Sequence, residues 1–140
     1  MLRWAIPALV VGLLGYGFFA ADAEVSLRMV QIWVLANGSL AALGALLALA
    51  HPLTVVAAFV AAPITSLNPL VAAGWVAGLC EAVLHKPRVK DFENLPRDIV
   101  TVRGFWRNGV TRILLVVAFA NLGSTIGTLV GIPLMSSLLG

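Results

Sequence analysis

Long uncharged apolar stretches alternate with short charged segments along this chain. No Asp, Glu, Lys or Arg lies between Arg3 and Asp22, between Arg28 and Glu81, or after Arg112. Uncharged apolar stretches of this length are typical of membrane-spanning helices, because ~20 residues at a rise of ~1.5 Å cross a ~30 Å hydrocarbon core. The pattern therefore predicts an all-α integral membrane protein folded as a small helical bundle.

Five helices follow from the apolar stretches and from the prolines and glycines that interrupt them. We expect them at residues 4–21, 29–50, 53–62, 69–85 and 110–132, within one transmembrane domain of residues 1–140 that also contains a polar loop at 86–107. A secretory signal peptide over residues 1–23 is a less favoured alternative for the first helix, since Arg3 and Ala21-Asp22-Ala23 imitate the flanks of an export signal.

The third apolar stretch, residues 53–84, would form a helix of ~48 Å, which is longer than the bilayer requires. Its middle reads PITSLNP, from Pro63 to Pro69. Pro63 lacks a backbone donor and Pro69 disfavours the helical conformation at Asn68, so an unwound break is predicted at about 64–68. We expect a broken or re-entrant helical hairpin around residues 63–69; a single broken crossing is the alternative.

Polar side chains accompany this break and recur in the last apolar stretch. Backbone groups freed at membrane depth need partners inside the protein, because lipid offers none. The candidates are Thr65, Ser66, Asn68, Asn121, Ser124 and Thr125. We interpret them as a structural polar cluster or as a site for a peptide or small ligand, with the two groups facing each other and Asn68 making the key contact. Asn37 and Ser39 predict further hydrogen bonds between helices.

Glycines at every fourth residue predict close packing of helices. Gly123, Gly127 and Gly131 form a groove along one face of the last helix, and Gly74 and Gly78 share the same spacing. Small residues let two backbones approach closely in a membrane. We expect the face of Gly123, Gly127 and Gly131 to join copies of the chain into a homo-oligomer, with a dimer favoured.

Composition and charge agree with a membrane location and exclude other classes. Hydrophobic residues make up 61% of the chain and charged residues 11%, against about 25% charged in soluble domains. The net charge of +3 comes from the loop Lys86–Arg107, where six basic residues face three acidic ones. A basic loop predicts the cytoplasmic side, so the partner of this charge is the lipid bilayer and not nucleic acid. Glu81, an acid within an apolar stretch, is expected to pair with Lys86 or Arg88.

The chemistry of known catalytic and metal motifs is missing from the sequence. No HExxH, CxxC, GxSxG, Walker-type or dinucleotide-binding pattern occurs, and Cys80 is a single cysteine. Ser66 with His51 or His85 is a weak serine–histidine candidate. We therefore expect no catalytic residue, no metal site and no cofactor in this chain.

Four stretches of the chain carry a family resemblance. HPLTVVAAFVAAPITSLNPLVAAGWVAGLCEA, KPRVKDFENLPRDI, GFWRNGVTRILLV and ANLGSTIGT together resemble the C-terminal membrane region of TraB/PrgY proteins, the pheromone-shutdown group. The likeness covers roughly residues 30–130, and PITSLNP and NLGSTIGT are its distinctive motifs. It implies a two-part protein whose soluble N-terminal domain is related to the TIKI and GumN hydrolase-like families. The Gly-x-x-His metal-site stretch of that soluble domain has no match here.

The resemblance implies inhibition or clearance of peptide signals for some members, and three functions of this chain follow as expectations. The first is a membrane domain that anchors a hydrolase-like soluble domain and binds a peptide or small ligand at the polar breaks. The second is a transport or channel module that uses the unwound 64–68 segment. The third is a purely structural oligomerisation anchor.

Overall fold

The computed structural model describes residues 2–20, 22–68 and 70–139. Within these ranges the chain is helical and contains no strand. The helices, in chain order, are α1 (Leu2–Ala20), α2 (Ala23–Leu47), α3 (Pro52–Thr65), α4 (Ala73–Leu84), α5 (Val89–Glu93), α6 (Leu95–Asp98), α7 (Val102–Arg107) and α8 (Gly109–Ser137). The predicted all-α fold is confirmed.

Within the described residues, three helices are long and apolar enough to cross a membrane: α1, α2 and α8. The 25 residues of α2 and the 29 residues of α8 span ~37 and ~43 Å at ~1.5 Å per residue. Their outward faces carry large apolar side chains such as Leu35, Leu43, Leu122 and Leu129. A soluble protein seldom exposes so large an apolar surface. The chain is a membrane protein.

The two shorter apolar helices form an antiparallel hairpin. Helices α3 and α4 have 14 and 12 residues, ~21 and ~18 Å, so neither matches the ~30 Å hydrocarbon core alone. The start of α3 lies beside the end of α4, where the His51 amide donates to the Glu81 carboxylate over 2.9 Å. The turn between the helices lies beside the middle of α2 and α8, where Ser66 contacts Asn37 and Ser124.

Small residues bring the helices of the bundle together. Helix α8 runs antiparallel to α2, with the Gly123 backbone against the Leu40 carbonyl and the Gly127 backbone against Ala36. An alanine-rich core joins α2, α3, α4 and α8 through Ala45, Ala48, Ala58, Ala77, Val116 and Ala120. A second cluster of Val10, Met29, Trp33 and Met135 holds α1 against α2 and α8.

Several helix boundaries differ from the sequence-based predictions. Helix α2 begins at Ala23 instead of residue 29, because Glu24 and Arg28 form an ion pair of 2.8 Å along its exposed first turns. It ends at Leu47, just before Leu49, which has a positive φ of 58°. Left-handed backbone of this kind ends a helix, but glycine usually marks it in the sequence. Helix α4 begins at Ala73 instead of residue 69.

Two prolines were expected to limit helices and do not. Helix α3 continues past Pro63 to Thr65, and α8 continues past Pro133 to Ser137. The carbonyl that lacks a helical donor because of Pro63 is that of Phe59, and it lies against Gly38 of α2. Proline is tolerated in membrane helices where neighbouring helices cover the freed backbone. The break therefore follows Thr65 and extends to Ala72 instead of covering 64–68; Pro69, its second predicted boundary, lies outside the described residues.

The predicted polar loop at 86–107 contains the three short helices α5, α6 and α7. Asn108 holds this segment to the bundle, because its buried amide donates to the Asp91 carbonyl over 2.7 Å and to the Asp98 carboxylate over 2.9 Å. The indole of Trp106 donates to the Leu47 carbonyl over 3.0 Å, at the end of α2. The loop is thus a structured cap over one end of the bundle.

Candidate functional site

A cluster of uncharged polar side chains, here called the neutral cluster, lies near the middle of the bundle. It consists of Asn37 on α2, Ser66 at the end of α3, and Ser124 and Thr128 on α8. The Asn37 Oδ1 atom accepts from the hydroxyls of Ser66 over 2.8 Å, Thr128 over 3.1 Å and Ser124 over 3.4 Å. The Ser66 and Ser124 hydroxyl oxygens lie 2.8 Å apart, so either hydroxyl can donate its one proton to the other or to Asn37. The hydrogen bond between helices predicted for Asn37 is confirmed, and the one predicted for Ser39 is wrong, because Ser39 donates to the Leu35 carbonyl of its own helix.

A cavity of about 270 Å³ adjoins the neutral cluster and opens beside the turn between α3 and α4. The six polar residues singled out in the sequence all line it: Thr65, Ser66, Asn68, Asn121, Ser124 and Thr125. Arg3 and Pro7, near the start of α1, line its other side. The cavity therefore brings hydroxyl and amide groups of α3, the turn after it and α8 to one place, with one cationic side chain at its margin.

The six lining residues make different contacts. Asn121 bridges two helices, since its Oδ1 accepts the Gly74 amide over 2.7 Å in the first turn of α4, where backbone donors lack helical partners. Asn68 is exposed and its Oδ1 accepts only the nearby Leu70 amide, over 3.0 Å. It does not make the key contact that was predicted for it. Thr65 and Thr125 donate to carbonyls of their own helices.

A second cluster, here called the charged cluster, lies at the loop end of the bundle. Its centre is Glu81 on α4, whose side chain is fully buried. One carboxylate oxygen accepts the Thr54 hydroxyl over 2.7 Å and the His51 amide over 2.9 Å. The other lies 2.7 Å from the His85 Nδ1 atom and 3.9 Å from the Arg112 Nε atom. Glu81 thus links both ends of the hairpin to each other and to the start of α8.

The imidazole rings of this cluster have distinct environments. The His51 Nδ1 atom accepts the Leu53 amide over 3.1 Å and caps the first turn of α3. The His51 and His85 rings meet edge to face with centroids 5.5 Å apart. Within the described part of the chain, no three His, Cys, Asp or Glu side chains converge in a way that could hold a metal ion.

Comparison with known proteins identifies the family. The model of the TraB family protein C-terminal domain matches residues 1–140, which is the whole chain. This chain belongs to the TraB family. The TraB C-terminal domain is similar to the uncharacterized protein MJ1365 of Methanocaldococcus jannaschii, with 34% identity over 131 residues. The match covers 91% of this chain and 33% of MJ1365, so the chain spans about a third of that relative's length. No solved structure matches.

Two predicted pairings of this TraB domain are wrong. Glu81 bonds Thr54, His51 and His85 instead of Lys86 or Arg88, because its position on α4 turns it toward α3 and α8. The serine–histidine candidate is also wrong, because Ser66 lies at one end of α3 and His51 precedes the other end, ~21 Å away along the helix.

The glycines of the TraB domain pack within one chain. A Cβ atom on Gly123 would lie 2.1 Å from the Leu40 carbonyl oxygen, and one on Gly127 would lie 2.6 Å from that of Ala36. Gly74 and Gly78 face Val117 of α8 in a similar way. The expectation that the Gly123 face joins two copies is therefore wrong, because α2 of the same chain already covers it.

Two members of the charged cluster and one member of the neutral cluster were not predicted from the sequence. Thr54, Arg112 and Thr128 were not singled out, since isolated polar residues in apolar helices have no motif. One signal was available for Glu81: an acidic residue this far inside an apolar stretch is costly unless it is paired. Apart from His85, one helical turn away, its partners could not be predicted from the sequence, because they come from residues 27 to 31 positions away.

Proposed function

We propose that this TraB C-terminal domain anchors a soluble domain in the membrane and binds a small polar ligand in the cavity beside the neutral cluster. The observation that carries the proposal is that cavity, where all six predicted polar side chains meet around non-helical backbone. Irregular backbone at membrane depth is tolerated where protein or a water-filled space surrounds it, and ligand sites of membrane proteins use such breaks. The anchoring role rests on the greater length of MJ1365.

In this proposal the hairpin α3–α4 is re-entrant. Both of its ends meet at Glu81, on the side of the 86–107 loop, and its turn lies beside the middle of α2 and α8. Because basic loops stay in the cytoplasm, the hairpin would enter and leave from the cytoplasmic side. The segment 22–28 would then face the outside, and α1, α2 and α8 would each cross the membrane.

The cavity lining defines the chemistry of the ligand. Hydroxyl and amide groups supply both donors and acceptors, and Arg3 adds one cation at the margin. A volume of about 270 Å³ is just below the ~300–1,000 Å³ of drug-sized sites, which favours a small molecule or the end of a peptide over a folded partner. A carboxylate-bearing ligand would complement Arg3.

Cysteine accessibility tests whether polar solutes reach this cavity. Thr125→Cys in a Cys80→Ala background places a thiol in the lining, and Leu122→Cys places one on the apolar outer face less than one helical turn away. A water-soluble, membrane-impermeant thiol reagent should modify the cysteine at 125 in open membranes and leave the one at 122 unmodified. Equal, negligible labelling at both positions would contradict a solute-accessible cavity.

A separate experiment tests the orientation of the domain in the membrane. Cysteine at Asn94, in the same Cys80→Ala background, should react with the impermeant reagent only after the cytoplasmic face is opened. Labelling from outside intact cells would contradict the proposed orientation. The hairpin α3–α4 would then enter and leave the membrane from the outer side.

Transport is the second candidate function, because the turn between α3 and α4 places non-helical backbone beside the middle of two long helices. If the cavity is part of a path, liposomes containing the protein should release a small solute such as glycine faster than protein-free liposomes. Ser66→Leu, which fills the lining, should abolish the difference. If the solute is released at the rate of protein-free liposomes, transport is contradicted and ligand binding remains the proposed function of the cavity.

A further inference from the structure

A second cavity, of about 390 Å³, lies at the loop end of the bundle between the end of α4 and the start of α8. Its lining is different from that of the mid-bundle cavity. Four cationic side chains line it, Lys86, Arg88, Arg107 and Arg112, together with His85 and Asp91.

Most of the cationic side chains that line this cavity have no acidic partner within the described part of the chain. Lys86, Arg88 and Arg107 are exposed and form no ion pair within the described part of the chain. The Asp91 carboxylate is engaged by the Arg88 backbone amide over 2.8 Å, where it caps α5. The Arg112 Nε atom is buried without a hydrogen-bond partner and lies 3.9 Å from Glu81. Three cations without an ion pair in that part of the chain thus line the cavity, beside Arg112, whose counter-charge is Glu81, and beside one acid that already caps α5.

The cavity also lies where a membrane surface is expected. It follows Leu84 at the end of an apolar helix, and the uncharged stretch of α8 begins directly after Arg112. The short helices around it expose large apolar side chains: Val89, Phe92, Ile99, Val100, Val102 and Phe105. Exposed apolar and basic residues on one short segment are typical of structures that lie in the interface of an anionic membrane.

We propose that this cavity binds the phosphate group of an anionic phospholipid in the leaflet on the loop side. Guanidinium groups match phosphate oxygens with paired hydrogen bonds, and basic pockets between membrane helices recognise anionic headgroups. The apolar side chains of the loop helices would pack among the headgroups and upper acyl chains. The bound lipid would hold the 86–107 segment against the bundle, next to the charged cluster. This site is independent of the mid-bundle cavity and of its ligand.

The test uses the 140-residue chain in nanodiscs of phosphatidylcholine alone or mixed with phosphatidylglycerol. Native mass spectrometry counts retained lipid and thermal unfolding measures stabilisation. The double variant Lys86→Gln/Arg107→Gln removes two lining cations, and Arg97→Gln/Arg103→Gln removes two exposed cations of the same loop that do not line the cavity. Both variants change the net charge equally, and none of the four side chains forms an ion pair within the described residues.

The wild-type chain should retain phosphatidylglycerol and unfold at a higher temperature in the mixed nanodiscs. Each lining cation is expected to contribute about five-fold in affinity through a hydrogen bond to the phosphate, so the lining double variant should lose about 25-fold. The control double variant should retain the lipid and most of the stabilisation. Equal losses in the two variants would overturn the site and leave only a general attraction of basic loops to anionic lipid.

Two further results would also overturn the proposal. One is a wild-type chain that is equally stable in both kinds of nanodisc and retains no phosphatidylglycerol. The other is an inorganic phosphate effect: if phosphate added to neutral nanodiscs stabilises the chain as strongly as the anionic lipid and displaces it, the cavity is a site for soluble phosphate. Retention of the lipid in the presence of phosphate supports the lipid site.

Discussion

The two ends of helix α3 are held by polar contacts of opposite kinds. At its C-terminal end, the neutral cluster joins α3 to α2 and α8 through one amide and three hydroxyls. At its N-terminal end, the charged cluster joins α3 to α4 and α8 through a buried carboxylate. The neutral cluster lies near the middle of the long helices, and the charged cluster lies beside the polar loop.

This difference follows from the cost of charge at different depths. An ionised group near the centre of a bilayer costs several kcal/mol, whereas one near a polar segment can keep access to water and counter-charges. Hydroxyl and amide groups satisfy the same backbone and packing needs at lower cost, and each contributes about 0.6 kcal/mol on average in membrane bundles. We therefore expect the charged cluster to be sensitive to single changes and the neutral cluster to be tolerant.

The largest effect is expected at Glu81. Glu81→Ala leaves the His51 amide and the Thr54 hydroxyl without an acceptor and Arg112 without its counter-charge, and breaking a buried ion pair costs about 3–5 kcal/mol. Unfolding in detergent should show this loss, and Glu81→Gln, which keeps an acceptor, should lose about half as much. Glu24→Ala is the control, because its ion pair with Arg28 is exposed and worth about 0–1 kcal/mol. A Glu81→Ala loss as small as that of the control would remove the distinction between the two clusters.

The next effect concerns the close approach of α2 and α8 beside the neutral cluster. Gly127→Ala places a Cβ atom 2.6 Å from the Ala36 carbonyl oxygen, so the helices must separate at Asn37; overpacking of this kind costs about 1–3 kcal/mol. Gly131→Ala is the matched control on the same face, since its Cβ atom would make an ordinary contact of 3.5 Å with Trp33. The two variants should differ in thermal stability by several degrees. Identical stabilities would contradict the close packing.

A smaller effect is expected from the shared acceptor of the neutral cluster. Asn37→Ala removes hydrogen bonds to three hydroxyls and should cost about 1–2 kcal/mol, near the upper end for such groups in membranes. Ser66→Ala should cost less, and the double variant should lose less than the sum because the two residues share one contact. Additive losses would mean that the cluster does not act as a unit.

The smallest effect separates the two asparagines at the hairpin turn. Asn121→Ala leaves the Gly74 amide without its acceptor and should cost about 1 kcal/mol. Asn68→Ala removes only a local bond in an exposed turn, so a loss below about 0.5 kcal/mol is expected. Thermal unfolding of the two variants decides this order. A larger loss for Asn68 would restore the key contact predicted from its sequence position.

Predictions from the sequence were most accurate where a single physical requirement applies to neighbouring residues of the chain. The uncharged stretches identified the helical regions, because hydrocarbon excludes charge and requires internal hydrogen bonds. The six polar residues of one cavity could be selected for the same reason, since polar groups in apolar stretches need partners. Helix ends were predicted less well, because neither proline ends its helix and the left-handed residue at the end of α2 is a leucine.

The sequence by itself determined that this is an all-α membrane protein with a broken third apolar stretch and polar groups at the break. Only the tertiary structure decided which residues contact these polar groups and which helices pack against each other. The Gly123 and Gly127 face contacts α2 of the same chain and not a second copy, and Glu81 pairs with α3 and α8 and not with the adjacent loop. The physical reason is that a face of small residues needs a closely packed neighbour and a buried carboxylate needs donors or a counter-charge. Any suitable helix can supply either one. Which helix does so depends on how the hairpin and the long helices pack together.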